Sequence, residues 1–255
     1  AGITVTGERT VLNLGAKGYD KKLTIDGNTR DGSASGNAKN AFVSVLEGAT
    51  ANMYGNVTLQ NGMFGGNACV VIMGSDSVTG SKSVFNMHGG VIQNCKGKYG
   101  GVSLKNGSRF IMEGGTISGC TADAGGGLYA ENSTLTISGG TIKGNKAAYG
   151  GGVALNSSTI NPITNWTVIG NEAHKTKRGN GGIGGGIYLD SVSMDVSDGS
   201  NKIYNNTADG HGADICLTDD TSSIKLPNAA NMGAKYLDSG IYIDGWYNDD
   251  NPRYT

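Results

Sequence analysis

Cleaving a glycosidic bond takes two carboxyl groups about 5 to 9 Å apart across the scissile linkage. The sequence offers Glu113, Asp123, Glu131, Asp190, Asp195, Asp209 and Asp214 on strand-like segments or adjacent turns. Glu131, Asp190 and Asp214 are the catalytic candidates, and no two carboxylates fall at equivalent places in successive repeats beside an aromatic neighbour. Binding chemistry has more material. Tyr129 and Tyr188 sit at outward strand positions, His174, Lys175, Lys177 and Arg178 form a basic cluster, and Tyr242, Trp246 and Tyr247 concentrate near the C-terminus. Tyr and Trp join an apolar face to a polar tip, which suits sugar stacking or protein contact. The plainer reading of the C-terminal aromatics is a cap over the last repeat, and of the basic cluster a solvated loop.

Other chemistries fail on pattern. His88, His174 and His211 have no GxSxG nucleophile elbow to serve. GNGGIG at 179–184 matches GxGxxG, but it follows the basic HKTKR and leads into the strand-like GGIYL, whereas a dinucleotide site needs a strand before it and a helix after it. DGNTRDGSASGN from Asp26 has oxygen ligands, yet Arg30 takes the fifth loop position and Asn37 the twelfth, so the EF-hand pattern breaks. Asp219 with Asp220 and Asp249 with Asp250 read as solvated carboxylates. Neither a metal nor a cofactor is expected.

The elements that must hold these residues are short and repeated. Ile117 and Ile142 each close a GGTI, and the same place recurs at Leu59, Ile92, Val168 and Ile203. A second series pairs Val43, Val70, Val102, Leu128, Val153, Ile187 and Ile215 with an apolar residue two positions later, the strand period. A looser third series holds Phe85 with Met87, Phe110 with Met112, Leu135 with Ile137, and Met194 with Val196. Gly, Asn, Ser and Asp separate the segments, and no amphipathic helical stretch intervenes. A unit of about 25 residues with three strands buries its apolar side only by stacking on its neighbours. The expected fold is all-β: a parallel β-helix of about seven rungs over 41–217, with 1–40 as N-terminal cap, partial rung and loop, and 218–255 as C-terminal cap.

The composition agrees. Forty-five glycines among 255 residues with only 3 prolines suit a turn-rich β protein, and 37% hydrophobic content supplies a core. Twenty basic against 21 acidic residues disfavour nucleic acid and anionic membranes. No apolar run nears the roughly 20 residues that span a bilayer, and no targeting segment opens the sequence, so membrane insertion by this segment is not expected.

GGTIKGN (139–145), GGGIYL (184–189) and NKIYNNTADGHGADICL (201–217) resemble the repeats of bacterial right-handed parallel β-helix surface proteins, the polymorphic outer-membrane-protein and adhesin-like groups. The resemblance covers about 41–217. It implies a right-handed helix, an extracellular place at the cell surface or in secretion, and binding to a host glycan or host protein, immunoglobulin included. Some β-helix proteins are glycoside hydrolases, lacto-N-biosidase-like enzymes among them, and others are polysaccharide lyases; a passive stalk is a third possibility. Longer spacings mark insertions at 74–83 and 172–184, and a loop at 28–40 precedes the first regular rung. Such loops are where function varies on a rigid solenoid.

Cys95, Cys120, Asn145, Asn171 and Asn206 share one register after the GGTI strand. If they point inward, the asparagines pass amide hydrogen bonds from rung to rung. The two cysteines then lie about 4.8 Å apart, as stacked thiols or as a disulfide.

Overall fold

The structure is a computed structural model that describes residues 2–27, 41–74, 80–161, 163–218, 221–225, 234–237 and 240–243. It is a parallel β-helix with three strands per turn, without helices among the described residues, and none long and apolar enough to cross a membrane. On the first face Ile3–Thr6, Val43–Leu46, Val70–Met73, Val102–Lys105, Leu128–Glu131, Val153–Asn156, Ile187–Asp190 and Ile215–Leu217 stack in parallel. The second face runs from Val11–Leu14 through Thr50–Met53, Val84–Met87, Arg109–Met112 and Thr134–Ile137 to Thr159–Ile160. The third runs from Leu23–Asp26 to Lys202–Tyr204 and carries the GGTI strands.

Register follows the apolar series. Leu59, Ile92, Ile117, Ile142, Val168 and Ile203 pair in succession, and each is fully buried. Phe85 stacks on Phe110 at 5.8 Å inside the second face, with Met87 and Met112 beside them. Each such aliphatic or aromatic side chain adds about 1.5 to 3 kcal/mol of burial. A strand of four residues gains this only while a rung lies on both sides of it. Stability therefore belongs to the stack and not to any one repeat.

Residues 3–26 are more than a cap with a partial rung. They contribute one strand to each face, in register with Val43–Leu46, Thr50–Met53 and Val57–Gln60. Ile3 and Leu23 are 39% and 40% exposed, whereas their register partners Val43 and Val57 one rung on are completely buried; Val11, 55% exposed, starts an outward column that continues through half-buried Thr50 and Val84. At the far end Gly240–Ile243 pairs antiparallel with Ile215–Leu217 and with Ala234–Leu237, so a hairpin covers that edge of the first face. Residues 28–40, Trp246 and Tyr247 lie outside the described residues.

One corner of the interior is filled by a single file of side chains. Asn145 donates through Nδ2 to the Ile117 carbonyl at 3.1 Å and to Asn171 Oδ1 at 3.0 Å; Asn171 repeats this with Ile142 and Asn206. Asn206 passes its amide on to Asp214 Oδ1 at 2.8 Å, so the chain of donors ends on a carboxylate that only accepts. Below the asparagines stand Cys120, Cys95 and also Cys69, all buried and all free thiols. Burial is the largest cause that raises the pKa of Cys69, and its thiol is in hydrogen-bond contact with Cys95. The thiol reading therefore describes this structure, and the stack has one more member than the sequence register suggested.

This file explains the triple glycines. Gly127, Gly152 and Gly186 precede their strands where a Cβ would come within 3.0, 2.9 and 2.9 Å of the Nδ2 of Asn145, Asn171 and Asn206. The same place before the strand holds Cys69, whose thiol meets Cys95, and past Asn206 it holds Asp214. Asparagine and glycine are thus two halves of one packing solution.

Candidate functional site

Outside the same corner, two columns of side chains climb the first face. The turn column runs Tyr99, Ala124, Tyr149, Ile183, His211, joined by isolated parallel bridges. The strand column runs Ser103, Tyr129, Ala154, Tyr188, Cys216. Each rung from Tyr99 to Tyr149 carries one tyrosine and one small residue, and the tyrosine changes column from rung to rung. Strands about 4.8 Å apart leave too little room for bulky outward rings in both columns of every rung, and the alternation gives each ring space to lie over a Ser or Ala. Ser103 and Ala154 point away from the core, yet both are only 2% exposed: Ser103 lies beside the stacked Tyr99 and Tyr129, and Ala154 at the bottom of a recess between Tyr129, Tyr149 and Tyr188.

The rings form two pairs. Tyr99 stacks on Tyr129 at 4.2 Å and 26°, while Tyr149 meets Tyr188 edge-on at 5.7 Å and 72°. Between the pairs lies a groove of about 200 Å³ floored by Ala124, Ala154 and Leu155, walled by Tyr129, Tyr149 and Tyr188, and rimmed by Asn156 and Asp190. That volume is below the roughly 300 to 1,000 Å³ that encloses a drug-sized ligand, and suits a single ring. Tyr129 and Tyr188 are two rungs apart, about 10 Å between Cα atoms, so a ring entering over Ala154 has an aromatic wall on either side.

Polar groups line one margin. Asn156 pairs in register with Glu131 below and Asp190 above, and its Nδ2 donates to Asp190 Oδ2 at 3.0 Å. Glu131 is engaged: Lys105 Nζ lies 3.3 Å from its Oε2, and the Tyr129 hydroxyl donates to the same oxygen at 3.3 Å. Lys105 also donates to the Tyr99 hydroxyl at 2.9 Å and lies 4.4 Å from that ring's centre. Burial works against the Lys105 charge, but the Tyr99 hydroxyl and Glu131 outweigh it and hold its pKa above the usual lysine value. Burial, followed by the Glu131 charge, pushes the Tyr129 phenol far above its ordinary value, and burial likewise raises Tyr188. Both hydroxyls stay protonated and able to donate throughout the physiological range.

The structure thus brings together Tyr129, Tyr188, Glu131 and Asp190. It separates them from Asp214, which is fully buried at the end of the asparagine file, accepts hydrogen bonds there from Asn206, and faces no cleft. Lys175, Lys177 and Arg178 are exposed on a small hairpin closed by an antiparallel Lys175–Gly181 bridge, with the Lys175 amide on Asp209 Oδ2 at 2.8 Å; His174, half-buried, precedes it. The hairpin returns to Ile183, between Tyr149 and His211 in the turn column, and none of its basic residues lines the groove. Tyr242 continues the strand column in backbone register, opposite Cys216. Sequence reasoning did not single out Tyr99 and Tyr149. Both stand immediately before the glycines of their rungs, in YGG and YGGG, and that placement was the available signal; turn residues do not announce that they stack. No family model matches this chain, and no curated protein or solved structure matches it either.

Proposed function

We propose that this chain is an extracellular binding module of a bacterial surface or secreted protein, of the polymorphic outer-membrane-protein and adhesin-like type, and that it recognises a host glycan at the tyrosine groove. The observation that carries the reading is the slot over Ala154 between Tyr129 and Tyr188, with Tyr149 at its side and Asn156 and Asp190 at its rim. Pyranose rings stack their C–H faces on aromatic walls, and their hydroxyls suit a carboxylate and an amide that fix orientation. A near-neutral surface is consistent with a ligand held by stacking and not by bulk charge.

A glycan array followed by calorimetry on wild type, Tyr129→Ala and Tyr188→Ala tests this. Loss of at least tenfold in affinity in both variants, with unchanged melting, supports the groove. Equal binding by all three rejects it, and glycan silence with capture of a host protein such as immunoglobulin moves the ligand to that class. Silence toward both leaves the stalk.

One observation favours a second reading, a glycan-cleaving enzyme. Glu131 and Asp190 lie two rungs apart in one column, about 10 Å between Cα atoms, a separation from which side chains reach the spacing used for inversion. The appearance of new reducing ends in wild type and their loss in Asp190→Asn would establish it. Retention of bound glycan intact over days would exclude it.

A further inference from the structure

A larger cleft opens at a different corner, between the second and third faces near the first rung. It has a volume of about 900 Å³ and is lined by the segment Ala16 to Asp20, Lys22, Tyr54, Asn56, His88 and Glu113, among others. Tyr54, His88 and Glu113 each follow the last strand residue of the second face, Met53, Met87 and Met112, and so stack on successive rungs. The Tyr54 and His88 rings lie parallel at 5.0 Å and 20°, and Glu113 Oε2 is 2.7 Å from His88 Nδ1. With the carboxylate holding Nδ1–H, the other ring nitrogen, Nε2, carries no partner among the described residues. The wall is the loop from the first rung, stitched down by Asn56, which accepts from the Ala16 amide at 3.3 Å and donates to the Lys21 carbonyl at 2.8 Å.

The loop is cationic. It carries Lys17, Lys21 and Lys22 against Asp20 alone, and none of the four takes part in an ion pair among the described residues. Of these, Lys17, Asp20 and Lys22 line the cleft, and with Glu113 bonded to His88 the two lysines outnumber the one unpaired carboxylate there. Tyr19, 63% exposed, adds a second aromatic side chain to the lining that holds Tyr54. An exposed and a half-buried tyrosine, unpaired lysines and an oriented imidazole around one concavity are what a ring-shaped anion requires: faces for the ring, cations for the acid group.

We infer that this corner cleft is a second saccharide site, specific for a carboxylate-bearing sugar of the uronic-acid class, with Lys17 and Lys22 on the carboxylate, Tyr19 and Tyr54 on the ring and His88 on a hydroxyl. It stands independently of the tyrosine groove, which lies on another face. The test is titration of the whole chain with a galacturonic acid trisaccharide, its uncharged galactose counterpart and a sulfated trisaccharide, on wild type, a Lys17→Met/Lys22→Met double variant, His88→Gln and Tyr188→Ala. The expected result is uronate binding at least tenfold tighter than the neutral sugar, weakened at least tenfold by the lysine pair and severalfold by His88→Gln, and unaltered by Tyr188→Ala. All substituted lysines and His88 are exposed, so melting temperatures should match wild type and confirm that the variants fold. Absence of uronate binding, equal affinity for the neutral sugar, tighter binding of the sulfated one, or loss on Tyr188→Ala in place of His88→Gln overturns the assignment.

Discussion

The interior file of thiols and amides and the outer strip of tyrosines are both ladders on one corner of one solenoid, with the same spacing between rungs, yet they behave as opposites. Inside, the position is nearly uniform: asparagine on three consecutive rungs, glycine across from it, and each side-chain amide donating both to a carbonyl of the rung below and to the next member of the file. Outside, the residues alternate large and small, and the alternation leaves a gap over Ala154. A buried ladder with a missing member strands polar groups away from water. A surface ladder with a missing member makes a recess. Uniformity marks what the fold requires, and interruption marks where a ligand has room.

The sharpest way to break this contrast is from the inside. Asn171→Leu removes the acceptor of the Asn145 amides and the donor to the Ile142 carbonyl, and leaving these buried groups unpaired costs about 4 kcal/mol, roughly 10 °C in melting by calorimetry. Gly152→Ala comes next: its Cβ would stand 2.6 Å from the Gly186 carbonyl oxygen and 2.9 Å from Asn171 Nδ2, an overpacking of about 2 kcal/mol visible in denaturant unfolding. The file also discriminates between its own cysteines. Cys120→Asn extends the amide ladder beside Gly101 and should leave the melting point within about 3 °C, whereas Cys95→Asn crowds Cys69 and should cost about 1 to 3 kcal/mol; equal effects would show that the glycine partner is not what sets the room.

On the outside the expected effects are smaller and fall on binding. Tyr149→Ala opens the groove and should weaken a bound glycan about tenfold, near 1.4 kcal/mol, while melting moves little because the side chain is half-exposed. The smallest effect is alkaline. Tyr129 ionises in the folded chain well above its unfolded value of about 10, so the folded state holds a proton that the unfolded state releases, and stability falls as pH rises above 10. Tyr129→Phe should flatten that fall, and melting temperatures between pH 9 and 11.5 measure it.

Much of the fold was legible because a period of two inside a period of about 25 leaves few ways to bury every apolar side chain. Leu59 through Ile203 could be placed in one column from spacing alone, and the pairing is as spaced. The asparagine register was equally readable, since amides at equal intervals in an apolar corner need one another. Cys69 escaped because it enters the same file from the opposite column, twenty-six residues before Cys95 but on the far side of the turn. The site was half legible. Tyr129 and Tyr188 stood out at strand positions, but Tyr149 sits in a turn, and only the bridge to Ala124 below and Ile183 above puts it on the same surface. Asp214 looked like a surface carboxylate because its neighbours Gly212 and Ala213 carry no sign that Asn206 lies behind them.

The sequence by itself determined that the chain coils into stacked three-stranded rungs, which residues line the interior, and which corner carries the amides, because burial and backbone pairing admit one register. Which outward residues meet was left to the tertiary structure. Residues one rung apart are about 25 to 35 positions apart in the chain, and local pattern is silent on which rings stack, which pair leaves a gap and which carboxylate is turned inward. Those outcomes follow from side-chain volume competing for the 4.8 Å between strands, and only the assembled stack decides that competition.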